Sequence, residues 1–504
     1  MVAIRILIIT GSLLSLISSL KKKPYEAHIQ HLLDTTDYNY ADNGFPTNAQ
    51  EQKQPIPLKV MGQIPAWLQG QLIQNGPGQF NVGKQQLVHW FDGFAFLTAF
   101  DFNQKQIHYQ SAFLQSDPFQ ESLKNKDLRL ISFAQLLPKP KTYHLAHGKQ
   151  KVQSSNANIN IQPLLDKRVI ALGETPVPLE FDPATLNTIG FFDFQDKLKK
   201  MDMWESAHMK QDPLDGTIYN FYIDYGLQSA YVLYQLKKGE NKRMVLKRQP
   251  INEPSYMHDF SITPHYIILT AYPLVVNPRD INDPRYSFIG AHRWEPARKT
   301  KVYVFDKKTG KKCAELDTEP MFAFHHILAA EDAEGLINIY LTSFQNADMV
   351  AKVSKLEVNL SQGLRKMVID IKNACVKMHT LSQETYELPG INNEYAGQEN
   401  KYFYAVCYQA PHLPKGFGLV KYNLQTNQAN YWSEAQVFCG EPTFVPNPTG
   451  VTEDDGVIIT VAYNAATNKS FLLMLNANTL QELARAYLPQ PLPMRLHAKF
   501  IPAA

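Results

Sequence analysis

The sequence predicts an all-β protein, a seven-bladed β-propeller with a short helical and loop cap over one face. Three observations predict it: a strand–turn–strand unit that recurs seven times, the spread of those units over most of the chain, and the scarcity of helical periodicity. Each unit is an apolar or aromatic run, a turn rich in Asp, Asn or Lys, and a second such run. β-Branched and aromatic residues fit a pleated, half-buried surface, and the turn formers accept the tight backbone between two strands, so each unit reads as a hairpin.

In chain order the units are LTAFDFNQKQIHYQSAF (97–113), LEFDPATLNTIGFFDF (179–194), YVLYQLKKGENKRMVLK (231–247), VYVFDKKTGKKCAEL (302–316), KLEVNLSQGLRKMVIDI (355–371), GLVKYNLQTNQANYW (418–432) and SFLLMLNANTLQELARAYL (470–488). Their loose spacing puts long loops between blades, and those loops supply the cap. Short helices are expected only at 26–34 and 194–203. Residues 55–504 then form one propeller domain and 25–54 an N-terminal arm. Residues 1–24 are an apolar segment in which Arg5 precedes the run Ile6–Leu20, like a signal-peptide core. Lys21, Lys22 and Lys23 follow without a small-residue cleavage site, and the run is shorter than the ~20 residues that span a bilayer, so an interfacial anchor is the expectation.

Composition excludes several classes. The net charge of +3, from 50 Lys and Arg against 47 Asp and Glu, is too balanced for a nucleic-acid partner. Cys313, Cys375, Cys407 and Cys439 form no C-x-x-C pair and read as four buried thiols, which fits a reducing compartment. A cytoplasmic protein with peripheral membrane contact is expected, with secretion the alternative. G-x-S-x-G, P-loop, H-E-x-x-H and G-x-G-x-x-G motifs are absent, and no histidine begins an H-x-D or H-x-E pair. The chemistry must therefore be assembled from distant residues.

Four of the fifteen histidines sit at strand edges among apolar and small residues: His208 (ESAHMKQDP), His258 (YMHDFSIT), His325 (FAFHHILAAED) and His497 (MRLHAKFIP). They are 50, 67 and 172 residues apart, close to one, one and a few blades. Inner strands begin near a propeller axis, so four such residues can converge there. Neutral imidazoles suit Fe(2+), and four of them leave two of six octahedral positions free.

Ordered blocks around these histidines resemble the carotenoid cleavage oxygenase family. They run from NGPGQF (75–80), HWFDGFAFL (89–97) and SNANINI (155–161) through VIALGETPVPLEFDP (169–183), SAHMKQDPLDG (206–216) and MHDFSITPHYIIL (257–269). FHHILAAED (324–332), YELPGINNEYAGQENKYFYAV (386–406), GEPTFVP (440–446) and LPMRLHAKFIP (492–502) complete the series. The resemblance covers about residues 55–502 and implies one Fe(2+) per chain held by His208, His258, His325 and His497, with no catalytic residue beyond the metal centre. In FHH, His325 is the implied ligand and His326 points away. Glu174, Glu387 and Glu441 match three glutamates behind the histidines, where a carboxylate fixes the imidazole tautomer and orientation. Leu328 stands where the family usually has Asn. Gly76, Gly78 and Gly93 are expected at blade corners that need positive φ.

The resemblance implies a dioxygenase that uses O2 to cut a C=C bond of an apolar polyene, a carotenoid or apocarotenoid, into two carbonyl products without an organic cofactor. HYQSAFLQSDPF (108–119) is similar to the animal and related bacterial branch, but that branch's Pro-Asp-Pro-Cys block is replaced by LLPKPKT (136–142). Phe133, Leu136 and Leu137, followed by Lys139 and Lys141, are a candidate membrane rim through which a bilayer-dissolved substrate enters. Two alternatives stand beside this reading: a stilbenoid-cleaving dioxygenase of the same fold, and a metal-free propeller that only binds.

Overall fold

The computed structural model describes residues 28–137, 143–144, 151–152, 155–164, 166–196, 198, 203–226, 228–356, 361–408 and 413–503. The apolar segment 1–24, and Lys139 and Lys141 of the expected rim, lie outside the described residues. No helix among the described residues is long and apolar enough to cross a membrane.

Seven antiparallel blades surround one axis. Blade 1 runs, outside to inside, Gln52–Pro57, Gln106–Phe113, Phe94–Asn103, Gly70–Gln74 and Ala498–Pro502. Blade 2 is Asn160–Pro163, Val169–Leu172, Leu179–Phe181 and Thr188–Phe191, and blade 3 is Met203–Glu205, Ile218–Asp224, Ala230–Leu236 and Met244–Pro250. Blade 4 comprises Ser261–Ile262, Tyr266–Ala271, Thr300–Asp306 and Lys312–Thr318; blade 5 comprises His326–Glu331, Ile337–Phe344, Ser361–Asp370 and Cys375–Ser382. Blades 6 (Thr385–Gly390, Tyr402–Tyr408, Phe417–Asn423, Gln428–Trp432) and 7 (Val437–Cys439 with Thr443–Pro446, Gly456–Asn464, Lys469–Asn476, Glu482–Tyr487) join through one parallel pair, Phe417 with Phe438.

Both chain ends seal the ring. Val60–Gly62 adds the outer strand of blade 7 beside Ala484–Ala486, and Ala498–Pro502 adds the inner strand of blade 1 beside Gly70–Gln74. Closure of this kind leaves only short blade edges open to stray pairing. The middle strands are buried on both faces, as in Ala230–Leu236 and Gly456–Asn464, because neighbouring blades cover each side. Outer strands such as Met244–Pro250 alternate with solvent or lie exposed.

Six of the seven expected hairpins form. The exception is 355–371, whose described part is one strand, Ser361–Asp370, paired with Ile337–Phe344 and Cys375–Ser382. The stretch that looked like its first arm begins instead in a helical turn at Val353–Lys355. The expected helix at 26–34 is Ile29–Thr35, whereas the described part of 194–203 is not helical and runs into the strand Met203–Glu205. Phe194 there packs on Phe192, and the Arg243 guanidinium lies over its ring, so tertiary contacts rather than helical spacing set its backbone.

The cap is built from Ile29–Thr35, the turns Tyr40–Asn43 and Ile289–Ala291, the helix Asp117–Asn125, and the helical stretch Met349–Lys355. The arm is strapped down by Gln30, whose Oε1 accepts from the amide and hydroxyl of Ser287, and by Lys355, which pairs with Asp37 and Asp42. Of the three corner glycines only Gly76 has positive φ (151°). Gly78 and Gly93 are needed for space, since a Cβ would meet Phe96 Cβ at 2.2 Å and Pro77 Cβ at 2.5 Å respectively. The expected four buried thiols also need correcting: Cys407 and Cys439 are buried in blade cores, Cys375 is half-buried, and Cys313, on an outer strand, is exposed. None of the four forms a disulfide.

Candidate metal centre

Each histidine enters at the start of an inner strand or in the turn beside it. His208 follows Met203–Glu205 in blade 3, His258 precedes Ser261–Ile262 in blade 4, His325 precedes His326–Glu331 in blade 5, and His497 precedes Ala498–Pro502 in blade 1. The three remaining blades bring the glutamates: Glu174 just after Val169–Leu172 in blade 2, Glu387 on the inner strand of blade 6, and Glu441 between the inner strands of blade 7. All seven blades therefore contribute one residue each.

One ring nitrogen from each of His208, His258, His325 and His497 lies within 4.8 Å of the others, and all four residues are buried. His208 is packed nearly edge-on to its neighbours, with ring centroids 4.6 Å from His258, 5.0 Å from His325 and 4.5 Å from His497. The Nδ1 atoms face outward to the carboxylates: His258 to Glu174 Oε1 at 2.6 Å, His325 to Glu387 Oε2 at 2.6 Å, and His497 to Glu441 Oε1 at 2.8 Å. An ionised carboxylate only accepts, so each of these Nδ1 atoms carries the proton and each Nε2 presents a lone pair to the centre. His208 Nε2 and His258 Nε2 approach to 3.0 Å, while His325 Nε2 is buried without any hydrogen-bond partner. A buried acceptor without a partner is costly, and a cation among four inward lone pairs removes that cost. The donor set thus fits one metal ion.

Electrostatics agree at His208 and His497. Burial first, and the other three imidazoles second, hold His208 well below the usual imidazole range, so it is neutral and free to donate its lone pair. Burial lowers His497 as well, against the opposing pull of Glu441. Burial also acts downward on His325, but Glu387, with Asp259 and Glu441 behind it, opposes it and the net displacement is upward. His326 turns away as expected: its ring nitrogens meet Ser261 Oγ at 2.7 Å and the Tyr272 hydroxyl at 3.2 Å, and burial drops it to about 4. Leu328 packs in an apolar cluster with Ile327, Tyr386 and Phe403, so an apolar side chain at this position orphans no polar group of its own.

Above the imidazoles lies a cavity of about 990 Å³, counted to its open mouth. His258, His325 and His497 form its floor, and Phe91, Trp204, Tyr256, Phe324, Leu388 and Leu496 are among its walls. Leu388 adopts a left-handed backbone (φ 52°) immediately after Glu387, a conformation that costs a non-glycine residue about 1–3 kcal/mol and clusters at functional sites.

The rim expectation needs correcting at Phe133. It is buried, lines the cavity and packs against Phe91 and Tyr256, because Asp92 accepts the backbone N–H groups of Phe133, Ala134 and Gln135 and draws this segment inward. Leu136 is 45% exposed and Leu137 partly buried. Two contributors were missed from sequence. Tyr256 donates to Glu174 Oε1 at 2.9 Å, and Ser206 Oγ accepts the His208 N–H at 3.1 Å while donating to His258 O at 2.8 Å. Their only sequence signal is proximity to a histidine.

Seven blades with four axial imidazoles, three outer carboxylates and an apolar chamber above them define a propeller with a single metal site facing a lipophilic cavity. The family model described as retinal pigment epithelial membrane protein matches residues 45–502, and the chain belongs to that family. It is 29% identical to β,β-carotene 15,15'-dioxygenase of Gallus gallus, across 91% of this chain and 98% of that one. It is 28% identical to carotenoid isomerooxygenase of Galleria mellonella, across 90% and 95%. Among solved structures it resembles a cobalt-substituted apocarotenoid oxygenase of Synechocystis, with a TM-score of 0.80 and 26% identity over 93% of this chain and 100% of that one.

Proposed function

We propose that this protein is an iron(II) dioxygenase that cleaves a C=C bond of a carotenoid or apocarotenoid into two carbonyl products, with His208, His258, His325 and His497 as the metal ligands. The observation that carries the proposal is the four-imidazole cluster opening onto an aromatic, apolar cavity. Bound there, iron(II) supplies the activation of dioxygen. The carboxylates of Glu174, Glu387 and Glu441 hold the Nδ1 protons, keep the ligand nitrogens pointed inward, and offset the charge of the cation. The cavity walls exclude water and fix which double bond lies over the cluster. Both atoms of one O2 and one C=C bond balance two carbonyls, so the residues need not deliver a proton.

Purified protein should contain about one iron per chain, and oxygen uptake should depend on it. Offered β-carotene, an apocarotenal and resveratrol, it should yield carbonyl fragments of the first or second by product mass spectrometry. Cleavage of resveratrol alone would favour the stilbenoid reading, and a metal-free, inert protein would favour a binding module.

Glu387→Ala should weaken metal affinity by about 10–100-fold, with a corresponding loss of turnover at limiting iron. A variant that loses only melting temperature would rule out this role for Glu387.

We further read the protein as cytoplasmic and peripherally membrane-bound, since its cysteines form no disulfide and its substrate dissolves in bilayers. Leu136 and, on the Asp117–Asn125 helix, Leu123 are exposed apolar side chains. Liposome flotation should retain the wild type and lose the Leu123→Asp/Leu136→Asp variant; equal flotation of the two would exclude these leucines as the contact.

A further inference from the structure

We propose that Asp259 is a positioning residue that locks three of the four imidazoles into one cage, an inference that rests on the metal reading above. Its side chain is 2% exposed, and its two oxygens accept from three donors on three successive blades. Oδ1 receives the Lys210 ammonium at 2.7 Å and the Phe260 N–H at 2.8 Å; Oδ2 receives the His326 N–H at 3.0 Å. Lys210 stands two residues after His208, Asp259 one after His258, and His326 one after His325. One carboxylate thus joins a side-chain ammonium and two backbone amides that stand beside three ligands from blades 3, 4 and 5.

The three glutamates act differently, on imidazole rings. They reach His258, His325 and His497, and among the described hydrogen bonds none reaches His208. The Lys210–Asp259 pair is therefore the carboxylate link to the chain that carries His208. It lies outside the cavity walls, which include neither residue, so substrate has no need to touch it. Charge-assisted bonds in a dry interior are strong and directional, and a ligand constellation must hold to within about 0.5 Å. Without the carboxylate, three inner-strand starts lose their shared acceptor and the imidazoles lose register. The Ser206 bridge between His208 and His258 would remain, so the expected result is a loosened cage rather than a collapsed one.

The test is titration of the full, metal-free chain with Co2+, followed by its visible absorption, alongside the melting temperature of the metal-free protein and the kinetics of the iron-loaded one. Wild type should bind one Co2+ per chain. Asp259→Leu should bind roughly 10-fold more weakly or worse, with a shifted absorption band and a fall in kcat at unchanged KM. Lys210→Met, which keeps both backbone donors, should fall between, and Asp259→Asn should recover part of the affinity. Wild-type affinity and spectrum in a folded Asp259→Leu protein would overturn the inference, even with a lowered melting temperature. If that variant does not fold, unchanged Co2+ affinity in Lys210→Met overturns it. A wild-type chain that binds no Co2+ would instead overturn the metal reading, and this inference with it.

Discussion

His258→Ala should abolish metal retention and turnover together. The substitution removes one of four inward lone pairs and leaves Glu174 with Tyr256 as its remaining hydrogen-bond donor, so a buried carboxylate loses the partner at 2.6 Å. Loss of an outer orienting group costs about 10–100-fold in affinity, and loss of a ligand itself should exceed that. His258 also forms part of the cavity floor, so the void opens directly beneath the substrate. Metal analysis and oxygen uptake on the same preparation decide the matter. An iron-replete, active variant would contradict the ligand assignment, whatever its stability.

Arg243→Met should destabilise the fold by about 3–5 kcal/mol at neutral pH, the usual cost of removing one partner from a buried ion pair. The Arg243 side chain is fully buried. Its guanidinium donates to both oxygens of Asp196, at 2.8 and 3.2 Å, and reaches Glu205 at 3.5 Å. Glu205 also accepts from the Tyr234 hydroxyl and from Asn220 Nδ2 at 3.3 Å. Methionine keeps much of the packing but leaves two buried carboxylates unneutralised, one of them, Glu205, in blade 3 and three residues before His208.

The pH dependence follows from Glu205. Burial already raises its carboxyl above the ordinary value, with Arg243 opposing, and loss of that cation raises it further. The folded variant then binds a proton more tightly than the unfolded chain, so its deficit should be largest at neutral pH and shrink as pH falls and the carboxyl protonates. Urea denaturation at pH 7 and at pH 5 measures both effects. A loss below about 1 kcal/mol at pH 7 would show that Asp196 and Glu205 are solvated or protonated already.

How far the sequence reached depended on range. Hairpins such as Phe94–Asn103 with Gln106–Phe113 are local, and their turn residues and alternation announce them. The strand Ser361–Asp370 has a comparable pattern, yet its local hairpin partner is the following strand Cys375–Ser382, and its earlier partner Ile337–Phe344 lies across a helical insertion that no local signal marks. The carboxylate–imidazole pairs join residues 56 to 84 positions apart. They could be expected only from blocks resembling a family, because spacing alone does not align two side chains across blades.

The sequence by itself determined the class of architecture and the four histidines worth watching, since residue type and short-range periodicity suffice for these, while the three glutamates were legible only through blocks resembling a family. Tertiary structure alone decided that Phe133 is a cavity wall rather than a surface rim, and that Asp259 ties three blades together. Which way a side chain points depends on blades that meet only after the ring has closed, and the last strand of that ring comes from the far end of the chain.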